Sequence, residues 1–192
     1  MEKTVRKVTL HDQPSDASYW RDQPPRSGLP PSNRSDGNTT TGPMTLHPDF
    51  REFIQLLNDH SVRYLVVGGY AVALHGHPRY TKDLDVWAEA DSENIERLLG
   101  ALKAFGFGSL DLNVDDFLEP DTVVQLGRPA QRIDLLTELD GVAFDDSYAT
   151  RQEIPIENVS VSFIGLEQLR KNKKASGRHQ DLADLEHLRE EE

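Results

Sequence analysis

Two aspartates one residue apart, Asp83 and Asp85, lie in the run KDLDVWA, and a third, Asp134, lies in RIDLLT. In a strand, residues two apart leave the same face, so Asp83 and Asp85 would present both carboxylates together. Neighbouring carboxylates repel and raise one another's pKa, an arrangement that folding alone does not call for. A divalent cation removes the objection, because Mg²⁺ prefers carboxylate oxygens and keeps positions open for water and phosphate. A lone Asp-x-Asp is also compatible with a solvated strand face. Asp134 shifts the balance, since it sits among Ile133, Leu135 and Leu136, where an unpaired aspartate is costly to bury. Three carboxylates converging from two strands suit a pair of metal ions ~3.5–4 Å apart. One ion would activate an attacking oxygen and the other would neutralise a triphosphate. Asp83 and Asp85 are thus expected on both metals. Asp134 is expected on the catalytic metal, where it can also act as general base.

The neighbouring residues suit an anion. Gly68-Gly69 follows the short run Tyr64–Val67 and precedes YAVALHG. Glycine there allows a sharp strand-to-helix turn and lets a phosphate approach the backbone with no Cβ in the way. The pattern is neither a P-loop, since no Gly-Lys-Ser/Thr follows, nor a dinucleotide fingerprint, since the third glycine is missing. Arg79 and Lys82 flank the aspartate pair, and Arg79 is placed to meet a phosphate bidentately. Lys171, Lys173, Lys174 and Arg178 form the dense basic cluster of an acidic chain, and Lys173 or Lys174 is a candidate nucleotide or acceptor contact. Asp181 and Asp184 would orient these lysines or favour the first turn of a helix. His75 and His77 are expected to be structural or solvent-facing rather than metal ligands.

The elements that must position these residues can be read from periodicity. Phe50, Phe53, Ile54 and Leu57 recur at helical spacing. Tyr64–Val67 and Lys82–Ala88 read as strands, with a helix of about two turns between them. Asp91 or Ser92 caps a helix whose core face is Ile95, Leu98, Leu99 and Leu102, ended by Gly106 and Gly108. Thr122–Leu126 and Arg132–Thr137 are adjacent enough to pair. Glu153–Ile156 and Val159–Ile164 suit a hairpin turning at Glu157-Asn158. Two helices close the chain, Leu166–Lys173 and Asp181–Arg189, the second with Leu182, Leu185 and Leu188 inward. There is no strict βαβ rhythm, which favours an α+β domain with a mixed sheet over a doubly wound one.

Residues 1–45 differ in character. They hold six of the 11 prolines and the polar run SNRSDGNTTTG, and their six basic residues slightly exceed their five acidic ones. The chain's net charge of -12 therefore divides into +1 here and -13 in the remainder. Too little apolar area is present to offset ordering entropy, so a disordered leader is expected before a domain spanning 46–192. Met44, one of only two methionines, stands where the regular pattern begins, which suggests a domain starting there with 1–43 an added leader. The acidic total argues against a chain-wide grip on nucleic acid. With no cysteine, neither a disulfide framework nor a thiolate zinc site is available. No apolar run approaches the ~20 residues needed to cross a bilayer, and a soluble cytoplasmic protein is expected.

The ordered combination is specific: a strand, Gly-Gly opening a short helix, Arg-x-Thr-x-Asp-x-Asp on a second strand and a distant Asp on a third. It resembles the DNA polymerase β-type nucleotidyltransferase superfamily. Within it, VVGGYAVALHGHPRYTKDLDVW, VVQLGRPAQRIDLLT and GLEQLRKNKKASGRHQDLADLE resemble small bacterial enzymes related to abortive-infection (AbiEii) and minimal nucleotidyltransferase toxin–antitoxin proteins. The resemblance runs from about Met44 to Leu188. It implies a minimal catalytic domain that moves a nucleoside monophosphate from ATP or another NTP with Mg²⁺ or Mn²⁺. The implied acceptor is a hydroxyl of RNA (such as tRNA) or of protein, and the implied setting is the toxin half of a toxin–antitoxin pair. Gly68, Gly69, Asp83, Asp85 and Asp134 fall on the family's motif positions. Serine is the more usual second residue of that turn across the superfamily. Gly69 replaces it, so phosphate contact would rest on backbone N–H groups. Residues 1–26 also resemble the start of short partner proteins encoded beside such enzymes, which fits an added leader, and the toxin–antitoxin resemblance implies a small partner or antitoxin chain. Two other classes compete: a non-catalytic NTP-binding or interaction module on the same fold, and a two-metal nuclease, for which the Gly-Gly turn has no work.

Overall fold

The computed structural model describes residues 4–9, 44–77, 81–108, 112–128 and 131–188. Along the chain run strand β1 (Val5–Thr9), helix α1 (Pro48–Asp59), β2 (Tyr64–Val66), α2 (Gly68–Leu74), β3 (Asp83–Ala88) and α3 (Ser92–Leu102). They are followed by α4 (Asp115–Leu118), β4 (Thr122–Arg128), β5 (Gln131–Leu136), α5 (Phe144–Ala149), β6 (Gln152–Ile156), β7 (Val159–Phe163), α6 (Leu166–Ser176) and α7 (His179–His187). The strands form one mixed seven-stranded sheet in the order β1-β4-β5-β3-β2-β7-β6. This is the α+β, mixed-sheet architecture that the element pattern predicts.

Local chemistry explains most of these elements. Helix α1 starts with proline at its first position, where a missing N–H costs nothing, and buries Phe50, Phe53, Ile54 and Leu57 along one stripe. Burying each such side chain contributes roughly 1.5–3 kcal/mol. Asp91 caps α3 by accepting from the N–H groups of Glu93 and Asn94. That helix widens into a π-helical turn, Lys103–Phe107, where Gly106 takes φ 98°, a conformation that glycine adopts without a Cβ penalty. The β6–β7 hairpin turns through Glu157 and Asn158, both at positive φ, as the two-residue hairpin geometry requires.

The central strands divide the sheet into two unlike faces. On β3, Leu84, Val86 and Ala88 are fully buried, and Ile133 and Leu135 of β5 lie beside Leu84 and Val86 in register. These residues belong to one continuous apolar core that also takes in the buried stripes of α1 and α3. The alternate positions carry Asp83, Asp85, Arg132 and Asp134. A period of two along paired strands places them together on the opposite face.

Three expectations are corrected. The stretch 1–45 is not wholly without regular structure, because Val5–Thr9 pairs antiparallel with β4 at the sheet edge. Val5, Val8 and Thr9 are β-branched, and the edge of β4 offers backbone groups that pairing satisfies. Residues 10–43 lie outside the described residues. Helix α6 runs to Ser176, beyond the predicted end at Lys173, and stops at Gly177 in the left-handed conformation. Helix α7 turns its acids inward and one expected leucine outward: Asp181 and Asp184 are buried, Leu188 is buried and Leu185 half-buried as expected, but Leu182 is 46% exposed. The reason is Lys173, whose buried ammonium lies within ion-pair distance of both aspartates.

Candidate functional site

The site is assembled by strand register. Strands β3 and β5 run parallel and in contact, with Asp83 opposite Arg132 and Asp85 opposite Asp134. Strand β4 pairs antiparallel on the far side of β5 and sets Gln125 opposite Asp134. Neighbours across a sheet lie ~4.8 Å apart, so Asp85, Asp134 and Gln125 form a polar row across three strands. The three aspartates that the sequence predicts to converge share one small area.

The glycine hinge meets the same area. Strand β2 ends at Val66, the Val67 N–H donates to the Asp85 carbonyl (3.0 Å), and α2 opens at Gly68. Gly68 has φ +59°, and a Cβ built on it would collide with the Asp85 carboxylate. Both the backbone conformation and the close approach demand glycine here. Gly69 is buried within the first turn of α2.

The electrostatics follow from crowding. Burial, and then the carboxylates of Asp134 and Asp83, push Asp85 up to about 7, against the opposing pull of Lys173 and Arg132. Asp134 is completely buried and is satisfied by two neighbours. Arg132 donates to it through Nε (2.6 Å to Oδ1) and Nη2 (3.0 Å to Oδ2), and Gln125 donates to Oδ2 (3.2 Å). The same Nη2 lies 2.8 Å from Asp83 Oδ2. Burial opposes the charge on Arg132, but Asp134, Asp83 and Asp85 outweigh it, and its pKa is raised.

The basic residues predicted to help divide three ways. Lys173 is buried at the α6–α7 junction, held by Asp181 and by Asp184 at 3.0 Å, and its charge is felt at Asp85. Lys174 is exposed to solvent. Arg79 lies outside the described residues. The histidines are structural, as expected: His75 Nε2 lies 2.8 Å from the Ile164 carbonyl, and His77 stacks on His187 with ring centroids 3.9 Å apart. No motif marks Arg132 or Gln125. The available signal was positional, since Arg132 precedes Asp134 by two residues and must share its face.

Beyond Asp85 the same face continues to Trp87, which packs edge-on against Phe144 (5.1 Å). Trp87, Thr137 and Phe144 line a cavity of about 280 Å³ together with Asp121, Glu138 and Asp140.

Hard carboxylate oxygens crowded on one face, with a guanidinium already drawn between two of them, match a divalent cation in charge and donor chemistry. Among the described residues no three acidic or histidine side chains converge tightly enough, as they stand, to hold a metal ion. Arg132 lies in the gap between Asp83 and Asp134.

A mixed sheet with paired aspartates beside a glycine turn is the arrangement that the resemblance to nucleotidyltransferases implies. The chain belongs to the family described as "Nucleotidyltransferase of unknown function (DUF6036)", whose model matches residues 47–189. The enzyme is therefore a transferase of nucleoside monophosphates from NTPs. Its fold is similar to that of a candidate nucleotidyltransferase from Thermotoga maritima, with TM-score 0.51 and 15% identity over 76% of this chain and 94% of that one. An antigenic nucleotidyltransferase-like protein from Paracoccidioides brasiliensis also matches, with TM-score 0.44 and 20% identity over 76% of this chain and 78% of that one. So does a lincomycin-bound lincosamide antibiotic adenylyltransferase, LnuA, with TM-score 0.47 and 14% identity over 75% and 96% respectively. No protein of curated function matches the chain. Among the described residues, no helix is long and apolar enough to cross a membrane.

Proposed function

We propose that Asp83, Asp85 and Asp134 form the catalytic and metal-binding set of this nucleotidyltransferase, which takes ATP or another NTP and modifies a hydroxyl of protein or RNA. One observation carries the reading: the three aspartates lie on one face of paired strands, with the Asp85 carboxylate against Gly68. Mg²⁺ or Mn²⁺, when bound by these aspartates, would supply positive charge to the triphosphate and lower the pKa of the acceptor hydroxyl. The acceptor oxygen attacks the α-phosphorus, a new P–O bond forms, the bond from the α-phosphorus to the bridging oxygen breaks, and pyrophosphate leaves. The proton of the hydroxyl passes to a carboxylate of the set, for which Asp134 is proposed.

Gly68 and Gly69 leave the backbone bare for the phosphates. Arg79 and Lys174 are proposed as direct phosphate contacts. Lys173, held by its aspartates, contributes through its charge. The cavity beyond Asp85 is lined by three acids and no base, which disfavours a polyanion there and favours a protein hydroxyl over RNA. Residues 46–192 are proposed as the catalytic domain and 1–45 as a leader. A toxin role with a small antitoxin partner is proposed from the sequence resemblance alone.

Incubation with each α-labelled NTP, Mg²⁺ or Mn²⁺, and total cellular protein and RNA tests this. Transfer to protein that vanishes in Asp83→Ala supports it. NTP binding without transfer, or RNA shortened without NTP, overturns it. Growth arrest on induction, relieved by Asp83→Ala, tests the toxin role.

A further inference from the structure

Arg132 occupies the place that the proposed chemistry needs for a metal. Its side chain is only 14% exposed. Its Nε and Nη2 grip both oxygens of Asp134, and Nη2 also reaches Asp83 Oδ2 at 2.8 Å. This is the planar fork by which guanidinium binds carboxylate most tightly. An ion shared by Asp83 and Asp134 would have to lie between the two carboxylates, where the guanidinium now lies, so metal and guanidinium compete for one position. The one positive charge of Arg132 does not balance even the two carboxylates it grips, and Asp85 stands beside Asp134 with a third. A pair kept only for stability would be closed and neutral, and apolar residues of similar volume would often serve a buried position as well.

We propose that Arg132 is an internal counter-cation. It holds Asp83 and Asp134 in the metal-free protein, gives them up to the divalent ion when metal and NTP arrive, and then turns its fork to the triphosphate. The inference rests on the metal-site reading above. It assigns to this chain a resting state in which the bare carboxylates are neither repelled apart nor open to adventitious cations. It also couples metal entry to nucleotide entry, because the displaced guanidinium finds a new anionic partner only when phosphate is present.

The test measures Mn²⁺ binding to the full chain by electron paramagnetic resonance, with and without a non-hydrolysable NTP, in the wild type, Arg132→Gln and Arg132→Lys. Without nucleotide, Arg132→Gln is expected to bind Mn²⁺ at least about tenfold more tightly than the wild type, as removal of a buried competing pair implies. Arg132→Lys, which keeps the charge but cannot fork across two carboxylates, is expected to fall between them. With nucleotide present the order reverses for the NTP, which the glutamine variant binds more weakly. Melting temperature gives a second readout: Mn²⁺ alone is expected to raise that of Arg132→Gln more than that of the wild type. Should the glutamine variant fold only with Mn²⁺ present, exchange is supported. Should it not fold at all, Arg132→Lys alone decides, by binding Mn²⁺ more tightly than the wild type or not. Equal or weaker Mn²⁺ binding by the folded variants overturns the exchange while leaving the metal site intact. No Mn²⁺ binding by any form, with or without nucleotide, overturns the metal-site reading itself.

Discussion

Two buried ion clusters share a formal make-up and differ in what they leave unfinished. On the sheet, Arg132 faces Asp83 and Asp134; between α6 and α7, Lys173 faces Asp181 and Asp184. The helical cluster closes on itself. Its acids come from one helix, three residues apart, and Ser176 and Gln180 donate to their other oxygens (2.7 and 3.2 Å). The sheet cluster stays open. Asp85 adds a third carboxylate beside Asp134, and Gly68 leaves no side chain over it. Two acids matched by Lys173 and by Arg178, which lies 3.6 Å from Asp181, describe a structural joint, whereas surplus negative charge beside a glycine describes a place for an arriving cation.

Asp85 is where that distinction is expected to show most strongly. Asp85→Asn removes the surplus, so nucleotidyl transfer should fall by at least about 10²–10³-fold, as when a group that stabilises transition-state charge is lost. The melting temperature should not fall, because a repelled carboxylate has gone. A parallel loss of activity and stability would erase the contrast with the helical joint.

Lys173→Ala should do the converse. It strands two buried aspartates, at a cost of roughly 3–5 kcal/mol by urea denaturation. Transfer per folded molecule should fall far less than in Asp85→Asn, because Lys173 acts on the site only through its charge. A variant of near wild-type stability would show that the joint is not structural.

Gly68→Ala sharpens the role of the gap. The left-handed φ and the collision with Asp85 together should cost roughly 1–3 kcal/mol. Activity should drop along with stability, since the carboxylate must shift. An alanine tolerated in both respects would mean that the close approach is not needed.

Leu182 is expected to give the smallest effect. It is 46% exposed although its spacing suggests a core position, so Leu182→Ser should change stability by no more than about 0.5 kcal/mol. A cost of core size would return Leu182 to the core.

These cases also show how far the sequence carries. The elements that bring Asp83, Asp85 and Asp134 together are written in local patterns: alternation in β3, an aspartate among aliphatics in β5, and Gly-Gly between β2 and α2. Strand register then does the rest. What was hidden depends on long-range partners. The burial of Asp181 and Asp184 on α7 is set by Lys173 on another helix, and Leu182 is left outside. Strand β1 is a five-residue segment whose pairing is supplied by the edge of β4. Arg132 looks like an ordinary basic residue in a strand until Asp83 is placed opposite it across the sheet.

The central claim is best tested by anomalous diffraction from crystals soaked in Mn²⁺ with a non-hydrolysable NTP. The account predicts manganese between the carboxylates of Asp83, Asp85 and Asp134, with the Arg132 guanidinium withdrawn from Asp134. Nucleotide bound elsewhere, no manganese at the three aspartates, and Arg132 still bridging Asp83 to Asp134 would contradict it.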